Sequence, residues 1–103
     1  MAQFDVFDNP LPAARRAYPF VVAMQSDFTI NGAEQLVAPL APVETGPATR
    51  RVMPVVAVRG NDHIVVVPRL TVMRSRDLIE KVSSIAAARN DLLAAIDYLF
   101  FEV

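Results

Sequence analysis

Short apolar runs, cut apart by proline and glycine, fill the first two thirds of the chain, and the last third is free of both breakers. Pro10, Pro12, Pro19, Gly32, Pro39, Pro42, Gly46, Pro47, Pro54, Gly60 and Pro68 all precede residue 69. Between them, residues 4–7, 20–25, 35–40, 52–58, 63–67 and 71–73 are rich in β-branched and aromatic side chains and predict strands. Pro39, Pro54 and Pro68 have no amide hydrogen to give a ladder, so they belong at strand ends, bulges or sheet edges. Val55-Val56-Ala57-Val58 and Ile64-Val65-Val66-Val67 flank Arg59-Gly60-Asn61-Asp62-His63, a hairpin whose Gly-Asn-Asp supplies the positive φ angles that a tight turn needs. From Ser83 the period changes. Ile85, Ala88, Leu92, Ile96, Leu99 and Val103 recur at three- and four-residue steps, with Leu93 and Phe100 broadening the stripe, and predict an amphipathic helix capped by Ser83 or Ser84. Alanines at 86, 87, 88, 94 and 95 favour that helix and leave a narrow face that a second subunit can approach. Residues 11–16 and 41–51 carry no core pattern and read as surface loops. The fold class is therefore mainly β with a C-terminal α-helix.

A length of 103 residues fits one domain spanning 1–103, and 53% hydrophobic against 20% charged residues marks a chain that folds. With no cysteine the domain has no disulfides to staple it, so self-association would add stability. Charge is balanced along the chain. Up to Val52 there are 4 basic and 5 acidic residues and after it 6 of each, so no cationic pole exists to drive direct nucleic-acid binding by counterion release. The first residues lack a cationic segment followed by an apolar one, and no apolar run approaches the roughly 20 residues that cross a bilayer as a helix. The expectation is a cytoplasmic protein with no membrane partner.

One histidine and no cysteine argue against a zinc or iron site, and the isolated glycines at 32, 46 and 60 form no phosphate-binding loop, so no cofactor is implied. A serine nucleophile at 26, 75, 83 or 84 would have to use His63 beside Asp62, and nothing in the spacing orients such a base. His63 reads instead as a solvent-exposed turn residue, and the chain as no enzyme. Arg69, Arg74 and Arg76 alternate with strand residues and read as solubilising, whereas Arg15-Arg16 and Arg50-Arg51 lie in loops where they can meet an acidic partner. Recognition concentrates in Ile96-Asp97-Tyr98-Leu99-Phe100-Phe101-Glu102-Val103. Successive helical residues point about 100° apart, so Leu99 and Phe100 are expected to pack inward and Phe101 to stand out as an anchor for an arginine or a partner pocket.

Gln3-Phe4-Asp5-Val6-Phe7, Val22-Ala23-Met24-Gln25-Ser26-Asp27, Leu36-Val37-Ala38-Pro39-Leu40, Met53-Pro54-Val55-Val56 and Arg89-Asn90-Asp91-Leu92-Leu93-Ala94-Ala95-Ile96 occur in an order that resembles the CcdB toxin family over nearly the whole chain. The resemblance implies the toxin of a type II toxin–antitoxin system, a non-enzymatic homodimer that binds the A subunit of DNA gyrase and traps the enzyme on cleaved DNA. It implies an SH3-like antiparallel sheet or partly open barrel, a small additional sheet, and a C-terminal helix at the dimer interface. The gyrase-binding surface it implies falls at Phe28, Thr29, Asp97, Phe100, Phe101, Glu102 and Val103. It further implies a CcdA-like antitoxin with an acidic, disordered half that folds on the toxin, the two together repressing their operon. Arg15, Arg16, Arg50 and Arg51 are then the expected antitoxin contacts. Phe101-Glu102-Val103 stands where the family ends Trp-Gly-Ile, and Asp97 where the family's helix has asparagine. Those departures define an alternative, a homologue that keeps antitoxin binding and co-repression but has lost gyrase poisoning or acts on another target.

Overall fold

The computed structural model describes residues 2–25, 32–43 and 52–101. Among them are seven strands, β1 (Asp5–Asp8), β2 (Phe20–Ala23), β3 (Glu34–Pro42), β4 (Val55–Val58), β5 (Asn61–Val65), β6 (Thr71–Arg74) and β7 (Lys81–Ser84), followed by a helix, α1 (Arg89–Phe101). The pairings are antiparallel, and the order is β4-β5-β3-β2-β1-β7, with β6 branching from β3. The sheet curls into a half-barrel because β3 serves two neighbours along one edge: its first half pairs with β6 and its second with β5. Pro39 sits inside β3 rather than at an end, at the break between those two partners. Its carbonyl accepts from Val66 N at 2.9 Å on that side, so the missing amide hydrogen faces the gap, where it takes no ladder bond away.

Both faces of the central strands are covered, so they read as continuous apolar runs instead of an alternation. Phe4, Val6, Val22, Ala38, Leu40, Val56, Val58 and Val65 form the main core under α1, which contributes Leu92 and Ala95. Phe7, Val21, Ala23 and Val37 point the other way and are covered by Leu78 and Met73. The intervening residues of β1, β2 and β3 thus serve two cores at once.

Several expectations shift. The helix begins at Arg89, six residues after Ser83. Ser83 and Ser84 belong to β7, which pairs with β1, and Ile85 turns into the main core ahead of a 3-10 turn at Ala86–Ala88. The sheet takes these serines because β1 offers a ladder, and Ser84 Oγ accepts from Ala86 N at 3.3 Å. β7 had no strand signature because its single large apolar residue is Val82. The hairpin turn is tighter than expected: Val58 pairs with Asn61, leaving Arg59 (φ 52°) and Gly60 (φ 80°) as a two-residue turn with both φ positive. Asn61, Asp62 and His63 consequently lie in β5, and His63 is buried, not an exposed turn residue. Residues 12–14 form a solvent-facing 3-10 turn.

Candidate functional site

The distal half of α1 has two apolar sides. Leu92 and Ala95 are buried, and Ala88, Ile96 and Leu99 pack against the main core, which fixes the helix axis on the sheet. Away from the core, Leu93 is 38% exposed, Phe100 62% and Phe101 73%. Leu99 packs inward as expected, but Phe100 does not. Position 100 is one residue on from Leu99 and falls on the azimuth of Leu93, seven residues earlier, which also faces out. The rings of Phe100 and Phe101 lie 6.5 Å apart at 57°, a tilted pair. Asp97 is exposed at the i, i+3 and i, i+4 spacing to them. The last turn of α1 has no basic residue, so the helix itself does not neutralise its negative dipole end beside the two aromatic rings and the carboxylate. All three features attract a cationic group.

The base of α1 is tied to the end of β2 by amide side chains. Arg89 Nη1 donates to Gln3 Oε1 at 3.3 Å, and Gln3 Nε2 donates to the Met24 carbonyl at 3.0 Å. Beyond the last β2–β3 backbone pair, Gln25 N donates to Gln35 Oε1 at 2.9 Å and Leu36 N to Gln25 Oε1 at 2.7 Å. Two side chains thereby extend the ladder to the point where the chain enters residues 26–31. Gln25 stood in a motif of the sequence, but a glutamine's use as a ladder rung has no sequence signal.

Phe28, Thr29, Glu102 and Val103, together with Arg50 and Arg51, lie outside the described residues. Arg15 and Arg16 are exposed in the loop after β1, and Arg15 Nε donates to the Asn9 carbonyl at 2.6 Å. Asn9 is buried and binds the Tyr18 carbonyl and Leu11 N, so Arg15 rests on a closed loop. Arg15 also borders a groove of about 560 Å³ with Leu11, Arg74, Asp77 and Ile79. Arg74 pairs with Asp77 at 3.2 Å. Leu93 and Ile79 were not singled out as surface apolar positions, although Leu93 lay on the apolar stripe.

The described residues define a curled, SH3-like antiparallel sheet carrying a single helix with an aromatic, solvent-facing end. The chain belongs to the CcdB family: the family described as CcdB protein matches residues 3–101, nearly its whole length. That membership places it among toxins of toxin–antitoxin systems that act on gyrase, with gyrase and an antitoxin as the family's partners. No curated protein matches the chain. No helix among the described residues is long and apolar enough to cross a membrane.

Proposed function

We propose that the chain is a dimeric toxin that binds the A subunit of DNA gyrase through the distal end of α1 and traps the gyrase–DNA cleavage complex. The observation that carries this reading is the exposed Phe100–Phe101 pair beside Asp97, on a helix whose other side is anchored in the core. Phe101 is the anchor, stacking on a cationic side chain of gyrase; Phe100 and Asp97 border it, and Phe28, Thr29, Glu102 and Val103 complete the surface. Exposed aromatic residues of this kind dominate interface energetics. A supercoiling and DNA-cleavage assay with gyrase from the same organism tests it. The native chain accumulates cleaved complex, Phe101→Ala loses at least tenfold in potency, and Phe101→Trp, a better cation–π partner, gains. Absence of cleaved complex and of any association with the A subunit at micromolar concentration overturns the reading, and restoration by Glu102→Gly then places the defect at that residue.

A CcdA-like antitoxin neutralises the toxin and co-represses the operon with it. Its acidic segment meets Arg15 and Arg16, joined by Arg50 and Arg51. Charge attraction of this kind is screened by salt. Reversing Arg15 and Arg16 to glutamate therefore weakens antitoxin binding and flattens its salt dependence in a titration, and unchanged affinity and salt slope remove these residues from the interface.

A further inference from the structure

His63 is the single histidine of the chain and only 7% exposed, yet it does not belong to either core cluster. Its Nδ1 lies 2.9 Å from the Asn61 carbonyl oxygen. A carbonyl only accepts, so Nδ1 carries the hydrogen and, in the neutral ring, Nε2 presents a lone pair. Nε2 makes no hydrogen bond among the described residues. Among the same residues no side-chain nitrogen or oxygen sealed from solvent lacks a partner, so Nε2 is not sealed. His63 lines a concavity of about 470 Å³ together with Pro19, Phe20, Pro42, Arg59 and Asp62. The edge of Phe20 meets the imidazole at 5.3 Å and 71°, which holds the ring in place. Arg59 reaches this rim from a left-handed backbone that glycine or asparagine would hold at lower cost, a form of local strain that clusters at functional sites.

We propose that this concavity is a second recognition site, for a flat ring bearing an O–H or N–H donor. The phenol of tyrosine is the simplest such group. The ring lies against Phe20 and the prolines, its donor on His63 Nε2, and the Arg59–Asp62 rim takes the charged ends of a free amino acid or the flanking peptide groups of a polypeptide. The volume falls within the range of small-ligand pockets, and the lining combines apolar rings with charged and polar side chains.

Titration of ¹⁵N-labelled protein tests this, because a lone histidine gives one unambiguous imidazole signal and the amides of residues 58–63 report independently. N-acetyl-tyrosine amide shifts both sets and binds about 3- to 10-fold tighter than N-acetyl-phenylalanine amide, the worth of one hydrogen bond. In His63→Phe, read from the amides, the two probes bind equally. Free L-tyrosine binding tighter than the blocked amide, with the gain lost in Arg59→Asn, assigns the site to the amino acid; equal or weaker binding assigns it to a tyrosine side chain of a partner polypeptide. Equal affinity of the native protein for the two blocked probes, or no shift at 58–63 with either at millimolar concentration, overturns the proposal. The comparison of probes on the native protein stands even if the variant fails to fold.

Discussion

Phe4 and Arg59 both hold positive φ, at 69° and 52°, where a side chain crowds its own backbone at a cost of about 1–2 kcal/mol. The reasons differ. Phe4 N donates to the Ala23 carbonyl at 2.7 Å and its carbonyl accepts from Ile85 N at 3.0 Å, so the bent backbone joins the end of β2 to the segment leading into α1, and the ring is 2% exposed in the main core. Burial of that ring offsets the strain. Arg59 is exposed at a turn tip and its side chain gains no such burial. Opposite outcomes follow from one backbone conformation. Arg59→Asn, with the residue that two-residue hairpin turns favour, stabilises by about 0.5–1 kcal/mol and raises Tm by about 2–8 °C. Phe4→Ala keeps the strained φ, loses the ring and costs about 3–5 kcal/mol. Thermal unfolding of the two variants beside the native protein checks both signs.

Elements differed in how far the sequence revealed them. The hairpin of β4 and β5 was legible because apolar strands and a glycine turn are local signals, although the turn's register was set by the Val58–Asn61 pair and not by the Asn-Asp that follows Gly60. The start of α1 was misplaced because Ile85 and Ala88 fit a helical period while being used otherwise. Ile85 is driven into the core by β7 pairing to β1, and that pairing depends on long-range partners: Lys81 stands 3.3 Å from the buried carboxylate of Asp5, which also accepts from Ala2 N at 2.8 Å. Nothing in Lys81-Val82-Ser83-Ser84 announces such a partner. The exposure of Phe101 was legible through helical phase in the aromatic run, whereas Asp97 entered only through the family resemblance. The inward packing expected of Phe100 is overturned by its exposure, because a helix apolar on two sides gives no periodic signal to say which side is core.

At the scale of the molecule, the least legible feature is the second core, since the spacing of Met73 and Leu78 cannot tell which face of the sheet they cross. It decides how the protein unfolds. Val6, Val22 and Ala38 face the main core, while their chain neighbours Phe7, Val21 and Val37 face Leu78. A strand that loses support on one face cannot keep its other face in register, because one-residue slippage exchanges the two sets of side chains. The two cores therefore stand or fall together, and α1, which touches only the main one, is stabilised by a leucine on the far side of the sheet. Leu78 is 5% exposed, and Leu78→Ala costs about 2–4 kcal/mol, which speeds exchange of the slowest amides by roughly 30- to 900-fold. The acceleration is equal in β1–β3 and in the buried turns of α1 when unfolding is one cooperative step. Native-state hydrogen exchange of the variant measures it. Retention of native protection in α1 with loss in β1–β3 would show instead that the toxin's helix end keeps its shape on a separately stable layer.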